Sequence, residues 1–175
     1  PRSKTASSAT VKIKVTSPGN TSLESVELPI NTSFATSIND VSYTFQTLES
    51  YIALNDGAGN FTFKTAGGSD NLIIKEGTIN TKTFLVGVST DEQLYIIPDD
   101  TIDTSTLTVK VFDSPTSSNF TTYTNISQSV RINSTSTIYL LREAPNGFFE
   151  ITFGDGNVLG KSPEAGNKIE ITYLS

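Results

Sequence analysis

The strongest constraint on this chain is a two-residue alternation of apolar and polar side chains, broken at short intervals by turn signals. Val11, Ile13 and Val15 alternate with Lys12, Lys14 and Thr16, and the pattern returns at Val41, Tyr43 and Phe45. It returns again at Leu107, Val109 and Val111, and at Ile169, Ile171 and Tyr173. Period two is the mark of strands that bury one face. Shorter β segments fall at 26–30, interrupted by Pro29, and at 61–63, 72–74, 83–88, 121–124, 138–142 and 149–153. Another, 94–97, is stopped by Pro98. Ser17-Pro18-Gly19-Asn20, the polar stretch 55–60 and Asn146-Gly147 mark turns, the last a hairpin signal. Only two weak helical candidates emerge, 46–54 and 126–130. The pattern predicts a mainly β fold, a sandwich or barrel-like domain of roughly ten short strands with at most short helices.

Small polar residues fill 1–10, which reads as a linker or arm. Residues 11–175 read as a single β-rich domain, with 99–106 the place where two lobes would divide. The chain begins at Pro1 and contains no Met, so a fragment of a longer protein is expected.

Composition narrows the chemistry. There is no His, Cys, Met or Trp among the 175 residues. Imidazole bases, catalytic triads, thiol nucleophiles, disulfides and thiolate metal sites are therefore excluded. What remains is carboxylate chemistry, Ser/Lys chemistry or hard-cation binding. In place of charge the chain carries 22 Ser and 26 Thr. Twelve basic and eighteen acidic residues give a net charge of −6. That balance argues against nonspecific nucleic-acid binding and against an anionic membrane surface. No apolar run approaches the ~20 residues of a membrane-spanning helix.

The candidate sites each have a plainer structural reading. Gly154, Gly156 and Gly160 follow a strand, but their spacing is one residue longer than a dinucleotide fingerprint and no helix follows. Gly160-Lys161-Ser162 resembles the end of a phosphate loop, yet Asp155 stands where its first glycine belongs and Pro163 would break the helix. A glycine-supported turn is favoured for both. Asp99, Asp100 and Asp103 fit a solvated turn better than a calcium loop, and the 55–60 loop offers only Asp56. Glu143, Glu150 and Asp155 could supply a glycosidase pair, but nothing selects two of them. Asn-x-Ser/Thr triplets begin at Asn20, Asn31, Asn60, Asn119, Asn125 and Asn133, as the Ser/Thr content alone would produce. Phe45, Phe61, Phe63, Phe149 and Phe153 occupy alternation positions and read as core. No cofactor is expected.

A resemblance goes further than the residues alone. The run Gly147-Phe148-Phe149-Glu150-Ile151-Thr152-Phe153-Gly154-Asp155-Gly156-Asn157-Val158-Leu159-Gly160-Lys161 resembles a signature of phage baseplate wedge proteins. The closing Gly166-Asn167-Lys168-Ile169-Glu170-Ile171-Thr172-Tyr173-Leu174 is similar to the segment that follows it. Upstream, the segment from Val26 to Phe34 resembles baseplate J-like proteins, and the opening Pro1 to Ala9, Leu72 to Thr78 and Ile97 to Leu107 fit in order and spacing. Asn157 and Asn31 depart from the usual pattern at turn positions. The chain thus resembles the middle domain of the baseplate wedge subunit of T-even-type contractile-tailed phages, in the baseplate J-like family.

The resemblance implies a structural role in the virion tail baseplate, with assembly in the host bacterial cytoplasm. It implies other wedge subunits as partners, a second copy within each wedge, and neighbouring wedges joined in a ring that rearranges when the sheath contracts. It implies no enzymatic activity, no nucleic acid and no membrane. Gly147, Phe153, Gly154, Asp155, Gly156, Gly160 and Lys161 are then a structural turn motif. The competing readings are an adhesin-like or carbohydrate-binding β-sandwich of a surface protein and, third, a carboxylate enzyme.

Overall fold

Fifteen strands and one short 3-10 turn account for the regular structure among the described residues, and they fall into two compact units, Ala6–Thr78 and Ile79–Ser175. The computed structural model describes residues 5–19, 22–88 and 93–175. The fold is mainly β, as the alternation predicts.

In the first unit the strands are β1 (Ser8–Val11), β2 (Lys14–Thr16), β3 (Ser25–Leu28), β4 (Ser33–Ile38), β5 (Val41–Thr47), β6 (Tyr51–Leu54), β7 (Asn60–Thr62) and β8 (Leu72–Glu76). They form an antiparallel sheet in the order β1-β8-β5-β4 and two strand pairs, β2-β7 and β3-β6. The alternation at Val11, Ile13 and Val15, read as one strand, is split: Val11 ends β1 opposite Leu72, and Val15 lies in β2 opposite Phe61. Strand β1 also begins at Ser8, inside the segment expected to be an arm. Its polar side chains do not prevent pairing, because the ladder to β8 is made by backbone groups. Tyr51, Ala53, Phe61, Phe63 and Leu72 form the core, with Val11, Ile13, Val26 and Leu28 packed against it.

The helical candidate 46–54 is not helical. Gln46 and Thr47 end β5, and β6 starts at Tyr51. Thr47 is fully buried because its hydroxyl is satisfied twice: it donates to Pro29 O at 2.8 Å and accepts from Thr32 N at 2.9 Å.

The β4–β5 hairpin turns through Asn39 and Asp40, both at positive φ (51° and 63°). That is the conformation of a two-residue I′ turn, for which Asn-Gly is the favoured pair. Replacing Asp40 with glycine removes the left-handed strain at the second position. The expected gain is about 0.5 kcal/mol, read as a thermal midpoint higher by ~2–4 °C for a unit this small. A midpoint that falls would show that Asp40 makes a compensating contact.

In the second unit the strands are β9 (Ile79–Leu85), β10 (Tyr95–Ile97), β11 (Asp103–Phe112), β12 (Phe120–Asn125), β13 (Ile138–Glu143), β14 (Phe149–Phe153) and β15 (Lys168–Leu174). One seven-stranded sheet joins them in the order β10-β14-β13-β12-β11-β15-β9. The stretch 99–106 lies within this unit and leads into β11. Segment 126–130 contributes only the 3-10 turn Ile126–Gln128, started by the Asn125 side chain.

The sheet curls until its two edge strands meet. Phe84 of β9 packs edge-on against Tyr95 of β10 at 5.4 Å between ring centroids. Tyr95 then meets Phe153 at 5.6 Å, and Phe153 meets Tyr123 at 5.2 Å, all in T-shaped contact. Ile97, Ile102, Val109, Ile151, Ile169 and Ile171 fill the rest of this barrel-like core. The pair β12–β13 is parallel, and the sheet's other pairs are antiparallel.

Candidate functional site

The hairpin signal at Asn146-Gly147 is a turn between β13 and β14. Gly147 sits at φ 83° and donates its N–H to Ala144 O at 2.9 Å, while Asn146 Oδ1 accepts from Phe148 N at 3.1 Å. A Cβ on Gly147 would meet Asp100 Cβ at 3.7 Å, so the turn lies against the 99–106 segment.

Strand β14 then delivers Phe153 into the ring cluster and runs into the glycine-bearing loop. The alternation that buries Ile151 carries the chain to Gly154, where it must fold back on itself. A Cβ at Gly154 would lie 2.1 Å from Leu159 O and 2.3 Å from Gly160 C. Only glycine permits that approach. Gly156 (φ 72°) donates to Gly160 O at 2.8 Å, and Lys161 N donates to Ser136 O at 2.8 Å, which ties the loop to the segment entering β13. Gly160 combines φ 90° with a site where a Cβ would lie 2.7 Å from Ile138 Cγ1 and 2.9 Å from Ser136 O.

Asp155 organises the loop interior. Its Oδ1 accepts from the backbone N–H of Asn157 at 2.9 Å, Val158 at 2.8 Å and Leu159 at 2.9 Å. The N–H groups of Val158, Leu159 and Asn157 hold its carboxyl below the ordinary aspartate value. A depressed folded value means the stabilisation is present above the unfolded value and is lost as pH falls through the folded one. Amide exchange at Asn157, Val158 and Leu159 should therefore stay slow through the ordinary aspartate range and accelerate only at lower pH. Acceleration at the ordinary value would show that the three bonds do not form in solution.

These partners leave the loop no phosphate-binding character. The inward-pointing N–H groups are occupied by the chain's own carboxylate, and no helix follows. Glu143 and Glu150 lie on the two strands of the β13–β14 hairpin, and Asp155 lies in the loop after it. Glu143 lies opposite Phe149, Glu150 opposite Arg142, and Asp155 is engaged by its own loop.

The acidic cluster also separates. Asp99 Oδ1 accepts from Thr101 N at 2.8 Å and Thr101 Oγ1 at 2.6 Å. Burial alone would raise its carboxyl, but bonds from Thr101, Ser175 and Tyr173 outweigh this and hold it low. Burial and the nearby Asp99 charge push the Tyr173 phenol up to about 12. Asp103 is not part of a solvated turn: it is buried, with Oδ1 accepting from Ser105 N at 2.9 Å and Ser105 Oγ at 2.7 Å. Among the described residues no three acidic groups gather where a metal ion could sit.

The same local device recurs in two of the Asn-x-Ser/Thr triplets. Asn125 Oδ1 accepts from Ser127 N and Oγ, and Asn133 Oδ1 from Thr135 N and Oγ1, all within 3.0 Å. In these two triplets the hydroxyl two residues on closes an Asx turn. Asn31 takes a left-handed turn at φ 66°, Asn60 opens β7, and Asn20 lies outside the described residues.

Two surface features escape a reading of the sequence. Strand β12 leaves β11 after Tyr123 and joins β13 at Thr124, while β11 shifts register between Asp103 and Thr108. The divergence opens a cleft of about 240 Å³ lined by Thr104, Thr108, Thr124, Asn125 and Tyr139, among others. Beside it, the outward face of the sheet collects Lys110, Phe112, Phe120 and Lys168. Phe112 and Phe120 are 5.3 Å apart; Lys168 Nζ stands 3.9 Å from the Phe112 centroid and Lys110 Nζ 4.6 Å from that of Phe120. Alternation along β11 and β15 turns Lys110, Phe112 and Lys168 outward, but only the strand order brings them together with Phe120.

A comparison with individual curated proteins found no match. A family model described as bacteriophage baseplate wedge protein gp6, third domain, matches residues 82–175, just over half of the chain. The matched segment begins within β9 and contains the whole ring cluster, the glycine loop and the closing strand β15. On that match the chain belongs to the family of the third domain of bacteriophage baseplate wedge protein gp6.

Proposed function

We propose that the chain is a stiff assembly module of the baseplate wedge ring, one that rearranges when the tail sheath contracts. Family membership makes it a structural component of the phage tail baseplate, built together with other baseplate subunits. The observation that carries the reading is the family match across 82–175, which spans nearly all of the seven-stranded sheet. A sheet whose edges are joined by packed rings resists bending, which suits a part that transmits displacement. In this reading the seven residues of the turn motif have a structural role: Gly147 shapes the turn before β14, Phe153 joins the ring cluster, and Gly154, Asp155, Gly156, Gly160 and Lys161 hold the loop after β14 in one shape.

The finer parts of the reading follow from the wedge assignment. A second copy pairs within the wedge, neighbouring wedges close the ring, and assembly takes place in the host bacterial cytoplasm. The chain catalyses nothing and binds neither nucleic acid nor membrane. The absence of His and Cys and the net charge of −6 support this part.

Electron cryomicroscopy of the phage tail before and after contraction tests the proposal. The expected result is one internal strand order in both states, with the module displaced relative to the tail hub. An identical position in both states would contradict the mechanical role.

A further inference from the structure

We propose that the outer face of β9, β15, β11 and β12 docks an acidic, apolar segment of a different baseplate subunit. The proposal rests on the baseplate reading and adds the place and chemistry of one contact. Strand register builds this face row by row. Leu85 lies opposite Lys168, Lys168 opposite Phe112, and Phe112 opposite Phe120, so one row crosses four strands. Leu85 is 63% exposed and Phe120 47%. In the next row Glu170 lies opposite Lys110, and Lys110 opposite the exposed Thr122.

Charge selects the partner. Among the two rows' outward residues Lys110 and Lys168 outnumber the one acid, Glu170, on a chain whose net charge is −6. Among the described residues neither ammonium has a carboxylate at ion-pair distance. Both lie over aromatic rings instead. Such stacking fixes two flexible side chains before any partner arrives, which lowers the ordering cost of binding. A basic, ring-bearing surface on an acidic molecule is matched by carboxylates set among apolar side chains. A second copy meeting this face with the same face would set lysines against lysines. The polar cleft next to Thr108 gives the bound segment room for one uncharged polar side chain.

The test uses the full-length wedge protein and the separately purified wedge subunits of the same phage, with affinities measured by titration calorimetry. The double variant Lys110→Glu/Lys168→Glu should weaken binding to one heterologous subunit by at least about tenfold. Binding by the unaltered protein should also weaken as salt is raised. Thr122→Glu is the second variant. It places an acid opposite Lys110 while keeping both lysines and both rings, and it should weaken the same complex with the thermal midpoint unchanged. Unaltered affinity in both variants overturns the proposal while the baseplate reading stands. Loss of self-association alone overturns it as well and assigns the face to a contact between copies. Failure of the unaltered protein to bind any wedge subunit overturns both readings together.

Discussion

Replacing Gly154 with alanine is expected to lower the thermal midpoint of the Ile79–Ser175 unit by ~10–20 °C, a loss of about 3 kcal/mol. The added methyl would sit 2.1 Å from Leu159 O and 2.3 Å from Gly160 C, and both obstacles are backbone. No side-chain rotation relieves that overlap, so the loop must open. Opening breaks the Gly156 N–H to Gly160 O bond and pulls Lys161 N from Ser136 O. Gly160→Ala should cost less, because part of its overlap is with the Ile138 side chain, which can move. Gly156→Ala should cost least, about 1 kcal/mol, since its only penalty is the positive φ and its nearest neighbour is 3.8 Å away. Differential scanning calorimetry of the three variants measures the order directly. Equal midpoints for Gly154→Ala and Gly156→Ala would show that the loop is not folded back as described.

The second large effect is expected at Phe61. Its ring is completely buried in the first unit, where β7 pairs with β2 and Asn55 bridges to it. Truncation to alanine leaves a ring-sized cavity and should cost about 3–5 kcal/mol. Ala6–Thr78 is a small unit whose core cluster consists of five buried residues, Tyr51, Ala53, Phe61, Phe63 and Leu72. At ~0.05–0.15 kcal/mol per residue its total stability is about 4–11 kcal/mol. Phe61→Ala should therefore remove a large share of this unit's stability and lower amide protection across β2 and β7, while protection in β11 and β15 persists. Retained protection across β2 and β7 would show that the ring contributes far less than its burial implies.

Much of the fold is readable from local signals. The β13–β14 hairpin is announced by Asn146-Gly147, and β11 and β15 by clean alternation that matches their buried Val109, Val111, Ile169 and Ile171. The strands without such signals are those whose partners do the work. Strand β4 buries little beyond part of Phe34, so Ser33–Ile38 shows no strong alternation. Strand β1 is marked in the side-chain pattern only at its end, by Val11; its start at Ser8 is held by backbone pairing to β8. The parallel contact between β12 and β13 joins segments separated by the 3-10 turn and a loop, and no turn residue specifies it. Thr47 misleads for another reason: a hydroxyl in the core looks exposed in the sequence until Pro29 and Thr32 are brought to it.

The glycine loop was half legible. Positive φ at Gly156 and Gly160 follows from turn chemistry, but the tight approach at Gly154 depends on where Leu159 returns. The role of Asp155 as acceptor for three successive N–H groups follows the Asx-turn rule at Asn157 and extends it by two residues, to Val158 and Leu159. The lysine–phenylalanine face was not legible, because Lys110 and Lys168 are distant in sequence and meet only through the β11–β15 register.

Family membership makes this chain a structural part of the tail baseplate. Antibodies raised against it, imaged by electron microscopy on the contractile tails of its own phage and on partly assembled wedges, test that placement. Label is expected at the baseplate, and on isolated wedges even where the finished ring covers the epitope. Label absent from both tails and wedges would contradict it.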